Sequence, residues 1–146
     1  MDETSIHLTY CRRYARAESG RRPHQATPLH GGPDVTLVAA LTPNGLQAMT
    51  VSGAVNDDVF TAYLDQVLGP KLVPGDVVVL DNLPAHKVVG LAVRVEARGA
   101  RLFYMPPYSP DFNPTELAFT KLKTWLRTAQ ARNRDALEAV IQTAPE

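Results

Sequence analysis

The sequence predicts an α/β fold, a mixed sheet with helices on both faces. Three observations carry that expectation. A β-branched run at residues 34–41 is followed by Thr42-Pro43-Asn44-Gly45 and a second extended run, the pattern of an antiparallel hairpin. Beyond it, helical and apolar extended stretches alternate, as β-α-β crossovers do. The 146 residues are enough for one domain with a sizeable core, assigned to residues 1–146.

Taken in order, residues 5–10 read as a first strand, and residues 12–34, rich in Arg, Gly, Pro and His, as a long irregular excursion. Residues 46–55 return as the partner of 34–41. Asn56-Asp57-Asp58 caps a helix in which Val59, Phe60, Tyr63, Leu64, Val67 and Leu68 share one face. Residues 70–75 end it. The continuous apolar run at 76–80 has the mark of a strand buried on both sheet faces. A helix over 88–98 ends at Gly99 in the C-cap position. Residues 102–105 form the last strand. A helix over 114–129 turns Ala118, Leu122, Trp125, Leu126 and Ala129 inward, and a helix over 134–143 closes the chain.

Fifteen basic residues balance fifteen acidic ones, so no overall field draws the chain to nucleic acid or to a membrane. Locally the charge is uneven. Arg12, Arg13, Arg16, Arg21 and Arg22 cluster early, and Lys121, Lys123, Arg127, Arg132 and Arg134 late; solvated faces explain either cluster. The single cysteine, Cys11, excludes an internal disulfide and suits a reducing compartment. No apolar run approaches the roughly 18 residues of a membrane span, and no signal peptide is visible. A soluble cytoplasmic protein is expected. His7, His24 and His30 with Cys11 lack zinc-site spacing.

The most informative stretch is residues 106–116. Four prolines within nine residues fix the backbone and forbid helix until Pro114, a good first helical residue. Asn113 is the natural N-cap and Glu116 falls in the first turn. An ordinary cap explains that pattern; so does a rigid turn that aims a carboxylate. Asp81 is a partner for it, because it leaves an apolar strand at the carboxyl end, where open α/β sheets gather ligand groups. Residues 82–115, thirty-four in all, separate Asp81 from Glu116 and supply one helix and one strand, so the crossover returns both acids to one edge. Asp2, on or just before the first strand, is the third candidate. Converging carboxylates repel and take up protons unless a cation neutralises them. Hard oxygen donors select Mg²⁺ or Mn²⁺, and two such ions suit phosphodiester chemistry.

Asp2-Glu3-Thr4, Val79-Leu80-Asp81-Asn82 with His86-Lys87, and the run from Pro106 to Glu116 followed by Lys121-Leu122-Lys123 carry a resemblance. The chain resembles the DDE superfamily endonuclease domain of insertion-sequence transposases related to the mariner group. The proline-rich run leading to Asn-Pro-x-Glu is its most specific part, and the middle third is generic. The resemblance implies an RNase H-like fold and a Mg²⁺- or Mn²⁺-dependent reaction using two ions. In it water cuts a phosphodiester at the element's end and the freed 3′-hydroxyl attacks target DNA. It makes Asp2, Asp81 and Glu116 the metal-binding triad, with Asn82, His86 and Asn113 as supporting residues. Lys121, Lys123 and Arg127, on the helix of Glu116, are expected to hold DNA backbone. The implied partners are double-stranded DNA (insertion-sequence ends and target) and a second copy in a homodimer, on the nucleoid.

Two departures from the pattern add expectations. The sequence shows no N-terminal helix-turn-helix domain, which an upstream reading frame would supply, and it begins one residue before Asp2, so the first strand is expected to be truncated. Two alternatives follow: a truncated, non-catalytic fragment acting as a binding or inhibitory partner, and an RNase H-like nuclease without strand transfer.

Overall fold

The computed structural model describes residues 1–29, 32, 34–82, 89–107 and 109–143. Strands β1 (Asp2–Ile6), β2 (Val35–Thr42) and β3 (Gly45–Ser52) form an antiparallel sheet, and β4 (Val77–Leu80) pairs in parallel with β5 (Arg101–Tyr104). Helices α1 (Asp57–Tyr63) and α2 (Leu91–Glu96) lie on the connections to β4 and β5, and α3 (Pro114–Ala129) and α4 (Arg134–Gln142) follow. The two sheets meet where the Met1 amino group donates to Val79 O at 2.8 Å, which sets the start of β1 beside β4. The mixed sheet is as expected.

Strand β2 explains why helices cover both faces. Val38 and Ala40 enter a core with Phe60, Tyr63, Leu64, Leu91 and Val95 from the α1 and α2 side. Val35, Leu37 and Ala39, pointing the other way, meet Phe119, Leu122, Leu126 and Leu137 of α3 and α4. The strand buried on both faces is thus β2. The expectation had given that place to residues 76–80, but Val77 is 48% exposed and Val79 38% exposed. The reason is coverage: α3 packs on β1 and β2, and Val77, Val79 and Phe103 stay open beside it.

The hairpin closes with Thr42 opposite Gly45. Pro43 cannot take the positive φ that a two-residue Asn-Gly turn needs at its first position, so positive φ falls on Gly45 (+93°) instead. Asn56 caps α1 by accepting from Val59 N, and the predicted apolar face is buried, although the helix passes into a π turn at Leu64–Leu68. Gly99 ends the second helix with φ +77°.

Two further expectations need correction. The first strand runs Asp2–Ile6, not 5–10, because Asp2 pairs with Ala39 and Ile6 with Val35, after which the chain turns at His7–Tyr10. The apolar alternation Ile6, Leu8, Tyr10 continues beyond the strand because these side chains still pack on the α3 core. Trp125 and Ala129 were placed inward but are exposed. The inner face of α3 is Thr115, Phe119, Leu122 and Leu126, and at about 100° per residue Trp125 falls roughly 90° from its centre.

Candidate active site

Asp2 lies in β1, opposite Ala39, on the face that carries α3. It is 6% exposed, which is rare for a carboxylate and sustained by two donors. The Glu3 amide donates to Oδ1 at 2.8 Å, and the Asn113 Nδ2 amide donates to Oδ2 at 2.8 Å. Asn113 is itself buried and caps α3, its Oδ1 accepting from Thr115 N at 3.1 Å. One side chain therefore fixes both the start of the helix that carries Glu116 and the orientation of Asp2, 111 residues away in sequence.

The Met1–Val79 hydrogen bond places Asp2 beside the end of β4, where Asp81 follows Leu80, half-buried, with Asn82 next to it. Glu116 stands exposed in the first turn of α3, its amide donating to Asn113 O at 3.2 Å. Burial pushes the Asp2 carboxyl up to about 6. The Glu3 amide opposes that rise, and the negative charges of Glu116, Glu3 and Asp81 add to it. The three predicted acids thus share one electrostatic neighbourhood. They do not form a ready-made cage: among the described residues, no three of His, Cys, Asp and Glu stand close enough together to hold a metal ion. Their chemistry nevertheless fits a hard divalent cation, since all three offer oxygen and their mutual repulsion falls when positive charge lies between them.

The other predicted residues separate. His86 lies outside the described residues. On α3, successive residues turn by about 100°, so Lys123 and Arg127 share the stripe of Glu116 and Lys121 points more than a third of a turn away. The Arg127 guanidinium lies 4.9 Å over the Tyr10 ring. Sequence reasoning missed the Asn113–Asp2 bond, although an N-cap Asn uses only its oxygen and leaves an amide to donate elsewhere. It also missed Arg132, which donates to Leu8 O and Tyr10 O, each at 2.8 Å.

No curated protein sequence matches the chain. Among solved structures, a Mos1 strand transfer complex is similar at 18% identity over 99% of this chain and 46% of that one, with a TM-score of 0.67. A Mos1 transposase paired-end complex with the left transposon end is similar at 18% identity over 97% and 44%, with a TM-score of 0.62. The chain spans less than half the length of either. At that identity the likeness shows the fold, which is the RNase H-like one. A family model for DDE superfamily endonucleases matches residues 1–138, nearly the whole sequence. The chain belongs to the DDE superfamily endonuclease family.

Proposed function

We propose that this chain is the catalytic domain of an insertion-sequence transposase, performing metal-dependent DNA strand cleavage and strand transfer at the element's ends. The observation that supports this reading is that Asp2 is a buried carboxylate on which the negative charges of Asp81 and Glu116, from two other parts of the chain, both act. Asp2, Asp81 and Glu116 would hold Mg²⁺ or Mn²⁺. Once bound, the ions would supply Lewis-acid activation of the attacking oxygen and stabilise the leaving one.

The chain's own residues do the positioning. Asn113 and the Glu3 amide each occupy one edge of the Asp2 carboxylate, leaving its remaining lone pairs for the cation. Glu116 is carried on a helix whose start is fixed by Pro114 and the Asn113 cap, so its backbone does not wander. Asn82 and His86 orient the site or contact phosphate. Lys123 and Arg127, on the Glu116 stripe, suit the DNA backbone leading to the scissile phosphate, and Lys121 suits an adjoining strand. The DNA partners are the element's ends and the target. The homodimer and the helix-turn-helix region from an upstream reading frame belong to the same proposal.

The test is nicking of supercoiled plasmid in Mn²⁺. Asp81→Asn is expected to lower the rate by at least about 10³-fold while leaving the melting transition cooperative. Retained nicking in that variant overturns the triad. Joined products, beyond nicks alone, are expected if strand transfer is the reaction.

A further inference from the structure

We infer that Arg12 and Arg13, at the start of the Arg-rich segment between β1 and β2, form a second seat for duplex DNA, binding backbone phosphates at the far end of α3. This rests on the reading of the chain as a DNA-cutting domain and extends its substrate path beyond the acids.

Residues 12–25 contain five arginines and one acid, Glu18, which pairs with Arg21 at 3.7 Å. The root of this segment is pinned once to α3 and once to the connection that follows it. Arg132 takes the carbonyls of Leu8 and Tyr10, and Arg127 lies on the Tyr10 ring. Arg13 and Gln130 line the same cleft, so Arg13 stands beside the C-terminal end of α3. Between the segment and the helix end is an open cleft of about 430 Å³ lined by Arg12, Arg13, Tyr14, His24 and Gln130. Among the described residues, no carboxylate lines it. Gathered guanidiniums without an acid repel one another, a cost relieved by phosphate oxygens in the bidentate geometry Arg favours.

The cleft is in line with the acids. Glu116, Lys123, Arg127 and Gln130 fall on one stripe of α3, at about 100° per residue. Fourteen residues at 1.5 Å each put the cleft roughly 21 Å from Glu116 along the helix. At 3.4 Å per base step that is about six base pairs from the cut. The stripe between the two ends carries Lys123 and Arg127 and no acid. The overall net charge of zero conceals this track, because the acids lie elsewhere.

The experiment is fluorescence anisotropy of a labelled duplex with the full chain, without divalent metal, from about 50 to 200 mM KCl. Arg12→Gln/Arg13→Gln is expected to flatten the slope of log K against log[KCl] by about 2, near 0.9 per phosphate contact. Arg21→Gln/Arg22→Gln, outside the cleft, is expected to keep the wild-type slope, and Arg12→Lys/Arg13→Lys to restore it. An unchanged slope in the first variant, or an equal loss in both Gln variants, overturns the proposal. Plasmid nicking measured alongside separates the two readings. A chain that nicks with a slope indifferent to Arg12 and Arg13 loses only this proposal. One that shows the expected slopes and never nicks loses only the catalytic reading.

Discussion

Asp2 is the residue on which the site turns, and its protonation has a predictable sign. Burial and the charges of Glu116, Glu3 and Asp81 hold its carboxyl near 6 in the folded chain against an ordinary 3.8. A raised acid favours the protonated form when folded, so its stabilisation is complete below about pH 4 and lost as pH climbs through 6. Without metal, the melting temperature is therefore expected to fall between pH 4 and 7, and Asp2→Asn to flatten that fall. A flat wild-type profile would contradict the burial of an acid under its neighbours' field. At this scale the sequence singled out Glu116 through the proline-rich run and Asp81 through the end of an apolar run, whereas Asp2 entered only as a third ligand on a strand expected beside that of Asp81. It did not point to the bond from Asn113 to Asp2. Nothing local in a sequence joins residues 111 positions apart, and the Asn-Pro signature is already satisfied by a helix cap.

At the scale of elements, α3 is the part that unites packing and chemistry. Phe119, Leu122 and Leu126 seat it on β1 and β2, and Asn113 fixes where it starts. Capping and orientation by Asn113 can be separated. Asn113→Ala removes both the cap and the donor to Asp2 and is expected to cost about 2 kcal/mol in denaturant unfolding. Asn113→Ser keeps an acceptor for Thr115 N, so it should recover about 1 kcal/mol of that loss. Both variants should show a Mn²⁺ affinity weakened by about 10-fold or more, because neither holds the Asp2 carboxylate. Full affinity in the Ser variant would reduce Asn113 to a cap. The start of α3 was legible because prolines and a capping Asn fix it, while its end at Ala129 is closed by Gln130 in the left-handed conformation at φ 54°. Its inward face was half legible: Leu122 and Leu126 are buried, while Trp125, the largest apolar side chain on the helix, sits at the rim, 39% exposed. Strand β4 misled for a related reason. Its apolar run is the same whether two faces are covered or one, and coverage depends on where α3 comes to lie.

At the scale of the whole molecule, the meeting of the two sheets is what brings distant segments together. The bond from the Met1 amino group to Val79 O brings Asp2 to the end of β4, and the crossover through α2 and β5 returns the chain so that α3 starts beside Asp2. The mixed sheet and its two helical layers were legible from the hairpin and the alternation after it. The relation between Arg127, Tyr10, Arg132 and the Arg-rich segment was not, since irregular chain has no period from which to read its position.

The central claim is that Asp2, Asp81 and Glu116 act together on a divalent cation. Its most direct test is the melting temperature of wild type and Asp81→Asn with and without Mn²⁺. Binding to the native state alone raises stability, by about 2.7 kcal/mol at a hundredfold excess over Kd. Removing one acid relieves repulsion, so the variant can start from a higher baseline; the informative quantity is the shift produced by Mn²⁺. The account predicts a clear upward shift in wild type and its loss in Asp81→Asn. Equal shifts in the two proteins would contradict it.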